Sequence, residues 1–351
     1  MSARKLIQWN ADRPIRYPWI GETNPYFILL SEFLLQQTRS DQALAYYLRM
    51  TDVFPTVESL ADTPEDVLMK HWQGLGYYSR ARNLHRTAKI IAADHNGQVP
   101  ESYDELIKLP GIGPYTAAAI SSFAFGESRA VVDGNVYRVL ARYHGISTPV
   151  NAPAARAEFT AHAQKMLGRH DPAAFNQAIM NLGAQVCTPK NPACTDCPFH
   201  RDCLAYIENR QTEFPVKIRK KPSRDRYFHF IEIQYRNKTI LQKRSDTDIW
   251  QGLYQFPLIE RNSTRKIADR QLQSFIHEHF GLSSGQLESV SDATKQVLSH
   301  QNIHARFYKI STTEKPSLDM DNVTLVFRKN LNNFAFPRTV SWYLNTRNHD
   351  Q

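Results

Sequence analysis

All four cysteines of this 351-residue chain fall within one seventeen-residue stretch, Cys187-x6-Cys194-x2-Cys197-x5-Cys203. No signal-peptide hydrophobic region precedes them at Met1 to Asn10, so thiols this crowded point to a metal centre rather than to disulfides. Four thiolates on one compact loop suffice for a tetrahedral zinc or for a cubane 4Fe-4S cluster. Zinc sites usually come as two short-spaced pairs, and the six-two-five stagger departs from that pattern. Either group would pin residues 187–203 into a closed loop, with Lys190, His200 and Arg201 displayed on it.

Helix punctuation is dense upstream of that loop. Asn24-Pro25 reads as an N-cap with a first-turn proline ahead of the apolar run Tyr26 to Leu35, and Thr63-Pro64-Glu65-Asp66 repeats the device. Ser102 with Glu105 reads as a capping box, and Asp171-Pro172 starts the helix that leads to the first cysteine. Little here alternates like a strand, so the first domain is expected to be nearly all α. After Arg210 the segment Glu213 to Arg224 becomes basic and proline-punctuated, as an extended linker would. Beyond it Phe228, Phe230, Glu232 and Gln234 alternate with His229, Ile231, Ile233 and Tyr235, turn at Asn237-Lys238 and return through Lys243. Ile303 to Ile310 reads as a further strand and Gln271 to Phe280 as a helix closed by Gly281, which makes the second domain α+β.

The formal charge of +9 and pI near 9.3 suggest a polyanionic partner, and no apolar run reaches the roughly 18 residues of a membrane helix. Three segments carry chemistry. In Leu109-Pro-Gly-Ile-Gly-Pro-Tyr-Thr-Ala117, Gly111 and Gly113 let backbone N–H groups approach a phosphate at the positive end of the following helix. Glu32 is a lone carboxyl in the apolar helix Phe27 to Leu35, where burial would raise its pKa and let it hold a proton near neutral pH. Asp133, in Val131-Val-Asp-Gly-Asn135, follows an apolar stretch at a helix start, where it can serve as N-cap, and an anion so placed can also stabilise a cation beside it.

Taken together these motifs resemble the adenine DNA glycosylase (MutY) family of the helix-hairpin-helix glycosylase superfamily. Ser31-Glu-Phe-Leu-Leu-Gln-Gln-Thr-Arg39, the glycine hairpin and the cysteine stagger match over nearly the whole chain. The resemblance implies an all-α helix-hairpin-helix glycosylase domain at 1–211 with a 4Fe-4S loop at 187–203, a linker at 212–224, and a Nudix-like lesion-recognition domain at 225–351. It implies a monofunctional enzyme of base-excision repair that flips a mispaired base out of double-stranded DNA, most directly adenine opposite 8-oxoguanine or guanine. Glu32 would be the general acid and Asp133 the nucleophile or stabiliser, supported by Tyr115 and Asn135. Tyr115 stands where strand-cutting relatives place a Schiff-base lysine, so lyase activity is not expected.

DNA engagement is implied for Gln37, Leu75 and Tyr77, the latter two in the loop Trp72 to Asn83, and reading of the opposite base for Ser299 and His300. Trp250 to Pro257 carries the Nudix resemblance, without a hydrolase box of clustered glutamates. The pocket departs from the family at three places beside Trp19. Ile20 replaces a usual arginine, Asn181 a usual acid, and Ser40 a usual aliphatic residue. A changed base preference, such as thymine from G:T, is therefore the enzyme alternative, and a lesion-binding module that does not cut is the other. A monomer in the cytoplasm, associated with the nucleoid and not with a membrane, is expected.

Overall fold

The computed structural model describes residues 1–13, 15–218, 223–245 and 248–347. The expected linker therefore falls partly outside the described residues, at 219–222, as does the end of the expected second domain at 348–351. Contacts divide the chain into two compact units, Met1–Thr63 with Asn83–Lys220, and Pro64–Arg82 with Lys221–Gln351. No described helix is long and apolar enough to cross a membrane.

The first unit is helical. Its elements are α1 (Ala3–Ala11), α2 (Pro25–Leu35), α3 (Ser40–Val53) and α4 (Val57–Asp62), then α5 (Glu65–Trp72), which belongs to the second unit, and α6 (Ser79–Asp94). There follow α7 (Tyr103–Leu106), α8 (Pro114–Phe125), α9 (Gly134–His144), α10 (Ala155–Leu167), α11 (Pro172–Gln185) and α12 (Leu204–Ile207). Caps act where the sequence places them: Asn24 Oδ1 accepts from the Tyr26 amide, and Asp171 Oδ1 from those of Ala173 and Ala174. Ser102 Oγ accepts from the Glu105 amide at 3.3 Å, but the Glu105 carboxylate turns to the same hydroxyl at 2.8 Å, so the expected box is only half formed.

Thr63 does not cap α5. It terminates α4, and Pro64 occupies the capping position without a side-chain bond. The acid expected in that first turn is committed elsewhere: Asp66 accepts from Lys243 Nζ at 2.6 Å and from the Tyr254 hydroxyl at 3.0 Å.

Helix α2 is buried almost all round, from Ile28 through Leu34, and packs on α3 and α8. A larger core gathers Leu6, Trp9, Leu140, Phe159, Phe175, Ile179 and Leu182 where α1, α9, α10 and α11 meet. The hairpin before α8 depends on Gly111. Its φ of +78° belongs to the left-handed region, and a Cβ there would lie 2.6 Å from Asn83 Cβ and 2.9 Å from the Phe33 ring. Gly113 has an ordinary φ of −93° and faces open space, so nothing in the protein's own packing demands a glycine there.

The second unit is built on an eight-stranded mixed sheet of β1 (Arg224–Tyr235), β2 (Lys238–Lys243), β3 (Tyr254–Gln255), β4 (Leu258–Arg261), β5 (Gln286–Val290), β6 (Thr294–Val297), β7 (Gln301–Thr312) and β8 (Val323–Phe327). Its path is β3-β2-β1-β7-β5, with β4 on β1, β6 on β7 and β8 on β2. β1 and β7 run parallel in register from Arg224↔Gln301 to Tyr235↔Thr312. Both faces of β1 are covered. Ile231 and Ile233 pack with Leu272, Ile276 and Phe280 of α13 (Asp269–Phe280), and across the strand Phe230 stacks on Phe307, which stacks on Tyr343 of α14 (Arg338–Arg347). The alternation seen in the sequence thus marks two buried faces, and the polar residues on one of them are satisfied: Glu232 accepts from the Tyr343 hydroxyl at 2.7 Å.

Gly111→Ala is expected to destabilise the protein by about 2–4 kcal/mol, combining a left-handed alanine with overpacking against Asn83 and Phe33. Gly113→Ala should cost under about 1 kcal/mol. Paired urea melts check this, and equal losses at the two positions would contradict it.

Candidate active site

Glu32 lies on the third turn of α2 with its side chain 6% exposed, and Asp133 sits at the mouth of α9. They line one cavity of about 560 Å³ within the first unit, together with Tyr115, Asn135, Trp19, Ile20, Ser40 and Asn181. Eight residues singled out in the sequence, scattered over 163 positions, are thereby brought to one place.

The two carboxyls have opposite surroundings. Burial, then the nearby charge of Asp133, push the Glu32 carboxyl up to about 8, against a smaller opposing effect of the Tyr115 hydroxyl. Its Oε2 has no hydrogen-bond partner among the described residues. Asp133 is also raised by burial, but donors hold its charge. Oδ1 accepts from the Asn135 and Val136 amides at 2.8 and 2.7 Å, and Oδ2 from Asn135 Nδ2 at 2.9 Å. Burial thus raises both acids, Glu32 with no donor on Oε2 and Asp133 against a set of amide donors that favour its charged form. Burial and the two acids drive Tyr115 well above the ordinary phenol value, keeping it neutral.

Several residues that the sequence reading passed over complete the site. Tyr17 stacks on Trp19, centroids 4.8 Å apart and planes within 4°, so the indole wall of the cavity is held flat. Arg138, itself buried, donates from Nη2 to Asn135 Oδ1 at 2.9 Å and to the Gly183 carbonyl at 2.7 Å, and from Nε to the Cys187 carbonyl at 2.7 Å. A Cβ on Gly183 would come within 2.6 Å of Asn135 Cβ, so that glycine lets α11 approach α9 closely enough for the contact. Asn181 Nδ2 donates to Asn10 Oδ1 at 2.7 Å, and Gln177 Nε2 to Asn181 Oδ1 at 2.8 Å, with all three lining the cavity.

Outside the cavity, Gln36 Nε2 ties the end of α2 to the Gly111 carbonyl and Thr116 hydroxyl, each at 3.3 Å. The next residue, Gln37, is exposed with φ +55°, a strained left-handed conformation. In the second unit Tyr77 is also left-handed, with φ +48°, and exposed beneath the Arg80 guanidinium, whereas Leu75 is buried. Ser299 and His300 form the exposed tip between β6 and β7, closed by the Leu298 amide donating to the Gln301 carbonyl at 2.8 Å, and Ser299 Oγ lies 3.0 Å from His300 Nδ1.

The four cysteines are half-buried, unbridged neighbours: burial and then the charges of the other three cysteines raise the Cys197 thiol to about 11. Arg142, 2% exposed, staples their loop by donating to Cys187 Sγ at 3.4 Å and to the carbonyls of Thr188, Pro189 and Gln211 at 2.7 to 2.9 Å. Among the described residues no three Cys, His, Asp or Glu side chains converge as one metal ion would require.

The raised Glu32 carboxyl has a thermodynamic consequence. Its folded value lies above the unfolded one, so the stability held in the protonated form is complete below about 4.5 and is lost as pH rises through about 8. Glu32→Gln removes that loss. The variant should gain at least about 2–4 °C in Tm over the unaltered chain between pH 6 and pH 9; a difference that does not change with pH would show that Glu32 is already ionised at pH 6.

Residues 30–169 match the family described as HhH-GPD superfamily base excision DNA repair protein, and residues 229–346 match the NUDIX domain family. The chain is 36% identical over 295 residues to the adenine DNA glycosylase of Buchnera aphidicola subsp. Schizaphis graminum, covering 80% of this chain and 82% of that one. With the adenine DNA glycosylase of Buchnera aphidicola subsp. Baizongia pistaciae it shares 37% over 273 residues, covering 74% and 77%. With that of Rattus norvegicus it shares 29% over 361 residues, covering 88% and 70%. Among solved structures, a thermostable thymine-DNA glycosylase superposes with TM-score 0.54 at 30% identity over 59% of this chain and 95% of its own. An endonuclease III in non-covalent complex with DNA superposes with TM-score 0.51 at 23% identity over 60% and 98%, a likeness of fold. The helical unit has the endonuclease III-like fold, its sheet-bearing companion is Nudix-like, and the chain belongs to the adenine DNA glycosylase family.

Proposed function

We propose that this chain is a monofunctional DNA glycosylase of base-excision repair that hydrolyses the N-glycosidic bond of adenine mispaired with 8-oxoguanine or guanine. The observation that carries the reading is the cavity itself, lined by Glu32, raised to about 8 by burial, by Asp133, held by amide donors, and by Tyr115. Glu32 donates its proton to a purine ring nitrogen and makes the base a better leaving group. Asp133, fixed by Asn135 and the first amides of α9, stabilises the sugar cation, and water completes the hydrolysis. Tyr115 cannot form an imine, so the reaction ends at an abasic site.

The domains divide the work as 1–211 for excision, 212–224 as linker and 225–351 for lesion reading. Gly111, Gly113 and the N-terminus of α8 hold phosphate, and the open face of Gly113 suits close backbone approach. Gln37, Leu75 and Tyr77 probe the stack, the strain at Gln37 and Tyr77 fitting residues held for a task, and Ser299 and His300 read the opposite base. The cysteine loop holds a 4Fe-4S cluster, a reading supported by four unbridged, half-buried thiols on one loop and by their six-two-five spacing. Bound, it would lend the loop rigidity and hold its basic residues Lys190 and Arg201 in place. The enzyme acts as a monomer on nucleoid DNA in the cytoplasm.

Duplexes carrying A:8-oxoguanine, A:G, T:G and U:G pairs, incubated with the protein and then treated with hot alkali, should break only at the adenine. Cleavage confined to T:G or U:G would sink the adenine assignment, and tight binding with no cleavage would make the protein a lesion-binding module. Glu32→Gln should lower single-turnover release at least about 100-fold, within the range general acid catalysis supplies. In the unaltered chain kcat/KM should fall on the alkaline side near pH 8, where Glu32 gives up its proton. Purified protein should contain iron and acid-labile sulfide in equal amounts, and zinc in their place would refute the cluster.

A further inference from the structure

Part of the lining of the cavity that holds the two acids is a ladder of three primary amides. Gln177 and Asn181 stand one turn apart on the same face of α11, and Asn10 reaches them from the last turn of α1. Gln177 Nε2 donates to Asn181 Oδ1 at 2.8 Å, and Asn181 Nδ2 to Asn10 Oδ1 at 2.7 Å. Asn181 is 4% exposed, so its bonds are made inside the protein, while the two outer residues are half-buried and line the cavity with it. No charged group takes part in the ladder.

Each carboxamide carries two N–H donors and an oxygen with two lone pairs. A run of them is its own mirror in hydrogen-bonding terms. Rotating all three amides by half a turn reverses every bond, with Asn10 donating to Asn181 and Asn181 to Gln177, at no loss of pairing. In the direction observed, the Gln177 end keeps an oxygen to offer and the Asn10 end keeps N–H groups; reversal exchanges them. A carboxylate at position 181 would lack this freedom, because it accepts only, and would force both neighbours to donate.

We propose, on the footing of the glycosylase reading above, that this ladder reads the flipped base and that its reversibility widens the substrate range to 6-oxopurines, so that the chain releases hypoxanthine as well as adenine. An amide pairs with an amino group beside a ring nitrogen, as asparagine and glutamine do with adenine. Reversed, the same amide meets a carbonyl beside a ring N–H, which is the edge hypoxanthine presents after the amino group is replaced by oxygen. The ring nitrogen that Glu32 protonates is unchanged between the two bases. The flat wall of Tyr17 and Trp19 accepts either ring system, since stacking is indifferent to the exocyclic atom. Asn10, Gln177 and Asn181 are then the residues that set base choice.

The experiment compares single-turnover release of hypoxanthine and adenine from otherwise identical duplexes, each opposite 8-oxoguanine, by the full-length chain. The ratio of the two rates cancels any loss of active protein. In the unaltered chain hypoxanthine release should be within about tenfold of adenine release. Asn181→Asp, which removes the donors from the middle of the ladder, should lower the ratio at least tenfold further by forcing both neighbours to donate to it and so to keep their oxygens toward the base's carbonyl. Asn10→Asp, at a half-buried position that tolerates change better, fixes the ladder in one direction and should shift the ratio the same way, which keeps the idea testable if the first variant does not fold. A ratio below one-tenth in the unaltered chain, or a ratio unmoved in the folded variants, overturns the inference and leaves the proposed function standing. Failure to release adenine from any duplex overturns the proposed function, and this inference with it.

Discussion

The helical unit turns on the guanidinium of Arg138. It is buried, and its donors serve the Cys187 carbonyl, the Gly183 carbonyl and Asn135 Oδ1 at once. Those three acceptors belong to the cysteine loop, to α11 and to the first turn of α9. Through Asn135, whose Nδ2 goes on to Asp133, the same cation fixes the carboxylate at the cavity, and its charge helps to hold Asp133 ionised against burial. A buried cation costs much unless every donor is met, and removing it would leave the Asn135 amide oxygen and two backbone carbonyls without that donor, so the arrangement survives only as a whole. The cysteine loop and the acid site are thus parts of one hydrogen-bonded body, and closing the loop positions the aspartate.

Electrostatics then separates the two acids that share the cavity. Glu32 and Asp133 repel each other, and both are raised by burial, yet only Asp133 has a capping set of amides, a side-chain amide and the Arg138 charge around it. The asymmetry follows from where each lies. Asp133 occupies the N-terminus of a helix, where donors and dipole favour an anion, and Glu32 occupies the middle of one, where backbone amides are already used.

Much of this was legible in the chain because the signals are local. The caps Asn24 and Asp171, the lone Glu32 in an apolar helix, the glycine hairpin and the cysteine spacing each act within a few residues. What escaped depends on partners far away in sequence. Asn10 sits at the end of a helix whose pattern speaks only of packing, and its partner Asn181 is 171 positions on. Gly183 looks like an indifferent helical glycine until Asn135 is set against it. Thr63 fails as a cap to α5, and local chemistry cannot reveal that Asp66 answers to Lys243 and Tyr254 or that residues 64–82 join the second unit.

The uncharged residues at positions 20 and 181, both lining the cavity, acquire a joint meaning from this electrostatic arrangement. A carboxylate at 181 would add a third acid to a cavity where Glu32 already stands at about 8, and would push it higher; an arginine at 20 would pull it down. Changing one alone would move the proton donor away from neutral pH. Replacing both, with Ile20 and Asn181, leaves the value of Glu32 set by burial and Asp133. If Glu32 is the proton donor and the amides read the base, as proposed above, the two are thereby uncoupled: the amides can alter which base is accepted without altering the acid that expels it.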